Sequence, residues 1–264
     1  MIYKAFTPHT SQLNLPNSQT PEPVLGCFYL EKNTMPKDIV YILKDKLDTD
    51  ELRYSLRSVE TNFPHRFVWF VGGQPEGFKP DRALPHKQGG ANKWELIRSS
   101  MLRVIQEPDL TDEFYLFNDD FFVMTPQRGE FVNFTDRTLD WRIADLRKEY
   151  PFLNNYGRTL QKAEAELKIK GSPTDNYEVH LPMLFEKAKV SVVLQCSSPQ
   201  MRSIYGNLNR VEHIQHADVK VYDLDEVPES PDYLSTNDKT FTEGKVGEYI
   251  RRTFPNPSRF EVTT

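Results

Sequence analysis

The sequence predicts an α/β protein built on a mainly parallel sheet flanked by helices. Three observations lead there. Short runs of β-branched and aromatic residues recur at IVYIL (39–43), FVWFV (67–71) and FYLFN (114–118). Polar or turn-forming residues bound each run, as expected of a strand buried on both faces. The stretches between the runs carry apolar residues at helical spacing, so strand, helix, strand, loop, helix and strand follow in order.

Taken along the chain, residues 1–25 hold four prolines among Ser, Thr and Asn and read as an irregular arm. Residues 26–264 read as a single α/β domain, with a candidate sub-boundary near 135. After the first strand, Asp48 and Glu51 have the spacing of a capping box. Leu52, Leu56, Val59 and Phe63 then mark a helix that Pro64 closes. Gly72 and Gly73 end the second strand. Residues 74–91, rich in Pro and Gly, read as a long loop of the kind that is often functional. Trp94, Ile97, Met101, Val104 and Ile105 mark a second amphipathic helix. Further on, 158–169, 183–194, 200–209 and 244–254 read as helices, and VKVYDL (219–224) as a strand.

The 264 residues are 38% hydrophobic and 27% charged, ordinary values for a folded chain, and 17 Phe with 12 Tyr supply a large core. A net charge of −5 gives no bulk attraction to nucleic acid or to an anionic membrane. Cys27 and Cys196 are too few for a disulfide framework or a cysteine-only zinc site. No apolar run has transmembrane length and the N-terminal stretch has no signal-peptide core, which points to the cytoplasm.

Asp119 and Asp120 in FYLFNDDFFVM are the strongest chemical signal. Unpaired charge inside an apolar run is costly, but in an open parallel sheet ligands bind beyond the carboxyl ends of the strands. Asn118, Asp119 and Asp120 fall at such an end. Alternation along a strand would let one of the two Asp residues face a ligand, unless the chain turns at Asn118. Either carboxylate suits Mg²⁺ or Mn²⁺, both of which take hard oxygen ligands. A polar turn after a strand is the plainer explanation of the same residues. His180, Arg202 with its planar phosphate-matching fork, and Asn237 with Asp238 are further candidates. Asn92 and Glu95 open the second helix, where free N–H groups attract anions, although Asn92 is also a good N-cap. Arg53, Arg57 and Glu60 share the face opposite the apolar stripe and read as a solvated helix face. No P-loop, GxSxG, HExxH or GxGxxG pattern is present.

Several of these stretches together resemble the Stealth family of capsular sugar-phosphate transferases, which is related to the animal GlcNAc-1-phosphotransferase. DIVYILKD, DELRYSLRSVETNFP and FYLFNDDFF resemble its first two regions. NKWE resembles the Asn-x-x-Glu element ahead of its NDD motif. VHLPMLF, RSIYGN and STNDKTF follow in the family's order, so the likeness spans residues 38–241. The resemblance implies a nucleotide-sugar-binding fold akin to the GT-A glycosyltransferases. It implies Mg²⁺- or Mn²⁺-assisted transfer of hexose 1-phosphate from a UDP-sugar to a hydroxyl acceptor such as a glycan. It makes Asp119, Asp120 and Asp238 metal ligands, and Asn92, Glu95, Asn118, Arg53 and Asn237 substrate-binding residues. His180 becomes an acid, base or phosphate ligand, and Arg202 a phosphate clamp. Where the family reads YTWVDGSD this chain reads YILKDKLD, with Asp45 or Asp48 in place of the usual Asp. That departure leaves open transfer of the sugar itself, or a non-catalytic binding role.

Overall fold

The computed structural model describes residues 36–44, 46, 49–86, 93–129 and 131–262. The expected arm at 1–25, Cys27, Asp45, the Asp48 cap, Asn92 and the end of the 74–91 loop lie outside the described residues. The elements run, in order, β1 (Asp38–Leu43), α1 (Glu51–Asn62), β2 (Val68–Gly72), β3 (Arg82–Pro85), α2 (Lys93–Gln106), β4 (Glu113–Phe117), β5 (Phe121–Val123) and β6 (Asn133–Thr135). After them come α3 (Leu139–Glu149), α4 (Asn155–Ile169), β7 (Met183–Glu186), α5 (Lys187–Val193), α6 (Met201–Leu208), β8 (His213–Gln215), β9 (Tyr233–Ser235), α7 (Asp238–Thr242) and α8 (Lys245–Thr253).

The central sheet has the order β3-β2-β1-β4-β7. β1 pairs in parallel with β2 and with β4, and β2 with β3, while β7 joins β4 antiparallel. The predicted α/β class with a mainly parallel, helix-flanked sheet is what the chain forms. The reason is visible in β1. Ile39, Tyr41 and Leu43 pack on one face with Leu52, Leu56 and Val59 of α1. Val40 packs on the other with Met101 and Val104 of α2 and Leu160 of α4. A strand buried on both faces has no polar side to show, which is why its sequence reads as an unbroken apolar run. β5 pairs antiparallel with β9, and this ribbon packs on α7 and α8 through Phe122, Leu234, Phe241 and Ile250.

Several expectations are corrected. Residues 183–194 are not one helix: Met183–Glu186 form an antiparallel edge strand and only then does the chain coil into α5. VKVYDL forms no named strand. It follows β9 through isolated bonds, Val221 N–H to Ser235 O at 2.9 Å and Ser235 N–H to Val219 O at 3.2 Å. The loop expected at 74–91 contains β3. The polar face of α1 is solvated only in part: Glu60 is exposed, but Glu261 lies over the arginines, accepting from Arg57 Nε and Nη2 at 2.7 and 2.8 Å and from Arg53 Nη1 at 2.6 Å. Burial raises the Glu261 pKa, but hydrogen bonds led by Arg57 outweigh it and hold the carboxyl down at about 2.

Candidate active site

The chain leaves the sheet at the end of β4 and turns at once. Phe121 N–H donates to Asn118 O at 3.3 Å, closing a turn at Asn118–Phe121. The turn breaks the strand's alternation, so Asp119 and Asp120 both line one cleft of about 930 Å³. That volume falls within the roughly 300–1,000 Å³ of small-ligand sites. The cleft lies beyond the carboxyl ends of β1 and β4, taking in Leu43, Lys44, Phe117 and Asn118, as an open parallel sheet dictates.

Two carboxylates, Asp38 fully buried and Asp120 half-buried, show what distinguishes this end of the sheet. Asp38, at the start of β1, accepts five hydrogen bonds: Arg66 Nε and Nη2, Trp69 Nε1, and the N–H groups of Phe67 and Thr111. It is a satisfied structural anion. Asp120 has one strong partner, Lys220 Nζ at 2.8 Å on Oδ2, and its buried Oδ1 has none. Asp119 beside it has its pKa raised to about 6, by burial first and then by the Asp120 charge. Glu51 opens α1 on the same cleft. Its oxygens accept from Thr236 Oγ1 at 2.6 Å and Thr49 Oγ1 at 2.9 Å. Burial nonetheless raises its pKa to about 7, and the charges of Asp120 and Asp119 add to that. Asp238 adds a further carboxylate, exposed at the rim. Burial and the mutual proximity of Glu51, Asp119 and Asp120 thus raise the pKa of Glu51 and Asp119, although Lys44, Lys46, Arg142, Arg202, Lys220 and Lys239 line the same cleft. Among the described residues no three His, Cys, Asp or Glu side chains stand close enough to hold a metal ion between them.

Across the cleft, His180 is held by Asp218. Nδ1 lies 2.9 and 2.8 Å from the two carboxylate oxygens, and the His180 N–H donates to Oδ1 at 3.2 Å. Burial raises the Asp218 pKa, but its hydrogen bonds, led by that from His180, outweigh this and hold it below the usual range. An ionised carboxylate can only accept, so Nδ1 carries a proton, and in the neutral ring Nε2 is the acceptor. Arg202 is buried beneath the turn. Its guanidinium donates to the carbonyls of Leu181 and Leu116 and to Asn118 Oδ1 at 3.3 Å, so it braces the NDD turn. Burial lowers its pKa and the nearby Glu178 and Asp120 charges oppose that.

The cleft therefore brings together Asn118, Asp119, Asp120, His180, Arg202, Asn237 and Asp238, which the sequence reading had singled out from distant stretches. Asn237 is committed locally. Its Oδ1 caps α7, accepting from the Lys239 and Thr240 N–H groups at 3.0 and 2.9 Å in a capping box. Glu95 lines a smaller neighbouring pocket. Arg53 is bound to Glu261 and Asp50 away from the cleft-lining residues.

Sequence reasoning missed Glu51 as a cleft residue, and missed Asp218 and Lys220 altogether. Glu51 had been read as the partner of a helix cap. Asp218 and Lys220 stand at alternate positions of an extended stretch, which puts them on one side. Nothing local, however, pairs them with His180 and Asp120, 38 and 100 residues away.

No protein-family profile matches the chain, and no curated protein matches it by sequence. Among solved structures it is similar to a 4-diphosphocytidyl-2C-methyl-D-erythritol synthase, at 11% identity over 69% of this chain and 88% of that one, with a TM-score of 0.32. A likeness so slight bears on neither fold nor function. Among the described residues no helix is long and apolar enough to cross a membrane.

Proposed function

We propose that the chain is a cytoplasmic transferase with a GT-A-like, Stealth-related site that moves hexose 1-phosphate from a UDP-sugar to a hydroxyl of a glycan. The observation that supports this reading is the pairing, within one cleft, of adjacent carboxylates at the turn after β4 with a carboxylate-held histidine and several lysines. In the proposed step His180 Nε2 accepts the proton of the acceptor hydroxyl. The acceptor oxygen forms a bond to the phosphorus that bears the sugar. The bond from that phosphorus to the bridging oxygen breaks, and UMP leaves with the electron pair. Asp218 holds the imidazole in the required tautomer and stabilises the imidazolium that forms. Lys44, Lys46 and Lys220, all lining the cleft, offer positive charge to the phosphates.

The donor set fits Mg²⁺ or Mn²⁺. One or two of Asp119, Asp120 with its unpartnered Oδ1, and Asp238 would hold the ion, since among the described residues no three such side chains converge. Mg²⁺ commonly takes one or two carboxylates and completes its shell with water and substrate phosphate, so a tight protein cage is not required. Once bound, such an ion neutralises charge on the phosphates and on the leaving group.

A second reading, transfer of the sugar with release of UDP, draws support from the altered YILKDKLD region. Thermal unfolding against a panel of nucleotide sugars, with Mn²⁺ or Mg²⁺ and again with EDTA, tests the proposal. A ligand at about 100 times its Kd adds roughly 2.7 kcal/mol. A midpoint rise for one UDP-sugar that EDTA abolishes is expected, and release of UMP rather than UDP then identifies the bond broken. No rise with any nucleotide sugar overturns the reading in favour of a non-catalytic module.

A further inference from the structure

We infer that the smaller pocket beside the cleft is the acceptor subsite, and that it takes a saccharide ring stacked on Trp94. This deepens the transferase reading and rests on it. The pocket has a volume of about 310 Å³ and shares Trp94, Ile97, Pro199 and Met201 with the main cleft. The two pockets adjoin along these residues, so a molecule seated in the smaller one lies beside the cleft proposed for the donor.

Its chemistry favours a sugar. Trp94, Val193, Leu194 and Met201 give an apolar and aromatic lining. One face of a pyranose is a patch of C–H groups, and an indole ring is a broad, rigid, apolar platform for it. Ser197, Ser198, Glu95, Arg98 and Lys162 add hydroxyls and both signs of charge, which suits a ring ringed with hydroxyl donors and acceptors better than it suits a polyanion. The wall is pre-formed. Glu166 accepts the Ser197 N–H at 3.0 Å and the Ser198 N–H at 2.9 Å, and Arg98 Nη1 donates to Cys196 O at 2.8 Å. Pre-organisation of this kind lowers the ordering cost of binding.

The test reads binding, not turnover. Methyl hexosides and short oligosaccharides are titrated against the full chain by saturation-transfer NMR, and UDP and UDP-sugars by calorimetry. Two variants are compared with wild type: Trp94→Ala, which removes the platform, and Ser197→Tyr, which fills the pocket from an exposed position outside the main cleft. At least one saccharide is expected to bind wild type, and each variant is expected to weaken it tenfold or more. Ser197→Tyr is expected to leave UDP affinity within about twofold. If Trp94→Ala does not fold, Ser197→Tyr alone decides. The inference is overturned if no saccharide binds wild type, if Ser197→Tyr leaves saccharide affinity intact, or if it weakens UDP as much as the saccharide. Failure of every nucleotide to bind wild type would instead remove the transferase reading, while loss of saccharide in the variants would still locate a sugar site.

Discussion

Replacing Glu51 by Gln probes the charge balance of the cleft with little change in shape. Gln keeps an oxygen to accept from Thr236 Oγ1, and its amide nitrogen can donate to Thr49 Oγ1. In the folded chain the Glu51 pKa is raised to about 7, from 4.5. The folded state therefore holds the proton more tightly than the unfolded state, and stability falls as pH rises through this window. Below about pH 4.5 the neutral acid and the amide are nearly equivalent. Above about pH 7 the ionised Glu51 costs the wild type about 3 kcal/mol, at 1.36 kcal/mol per pKa unit. The Gln variant escapes that cost. In EDTA at pH 8 it should melt roughly 6–10 °C above wild type, given a few degrees per kcal/mol for a chain of this size. The gain should shrink to nothing by about pH 4.5. It should also shrink when Mn²⁺ is added, because a divalent ion bound near Asp119 and Asp120 would offset their repulsion of the Glu51 charge. Thermal melts of both proteins from pH 4.5 to 8.5 decide it. A variant no more stable than wild type at pH 8, or a difference that ignores pH, would refute the electrostatic account of the cleft.

Asp218→Asn should leave UDP-sugar affinity unchanged while lowering kcat by about 10²–10⁴, since the amide can hold the wrong imidazole tautomer; steady-state kinetics set beside calorimetry check this. Lys220→Met leaves Asp120 as a half-buried carboxylate without its ion-pair partner and should destabilise the fold at neutral pH, by less than the roughly 3–5 kcal/mol of a fully buried pair. The double variant with Asp120→Asn should recover most of that loss, and urea unfolding of the full double-mutant cycle measures it. Asp120→Asn and His180→Ala should each abolish turnover while the melting transition stays cooperative, and near-normal activity in either removes that residue from the mechanism. Gly247→Ala should destabilise the α7–α8 pair by several kcal/mol, because the added Cβ would lie 1.8 Å from the Phe241 carbonyl oxygen; denaturant midpoints read the effect.

The parallel core was legible because both of its faces are covered. Ile39–Leu43 and Val68–Val71 are buried throughout, apart from a half-buried Ile42, so composition alone marks them. The edge was harder. Met183–Glu186 alternates buried and half-buried residues over four positions, too few to separate strand from helix. β5, β6, β8 and β9 have three residues each, and long-range pairing decides them more than propensity does. Within the site, adjacent unusual residues such as Asn118–Asp120 announced themselves. The partners that set their charge did not. Lys220 and Asp218 are ordinary residues whose role exists only after the chain has brought them alongside Asp120 and His180.

The origin of those partners bears on how the molecule is assembled. Asp120 takes its cation from Lys220, Glu51 its hydroxyl from Thr236, and Arg57 its carboxylate from Glu261. In each case the polar group laid down early in the chain is answered from the last 45 residues of the sequence. During synthesis the amino-terminal strands emerge first, before the residues that complete these pairs. The cleft exists only once the carboxyl-terminal segment has closed over α1 and the NDD turn. That segment works as a clasp, and a truncation before Ser258 would leave a chain that holds every sheet strand yet has Arg57 without its carboxylate and Arg53 with Asp50 alone.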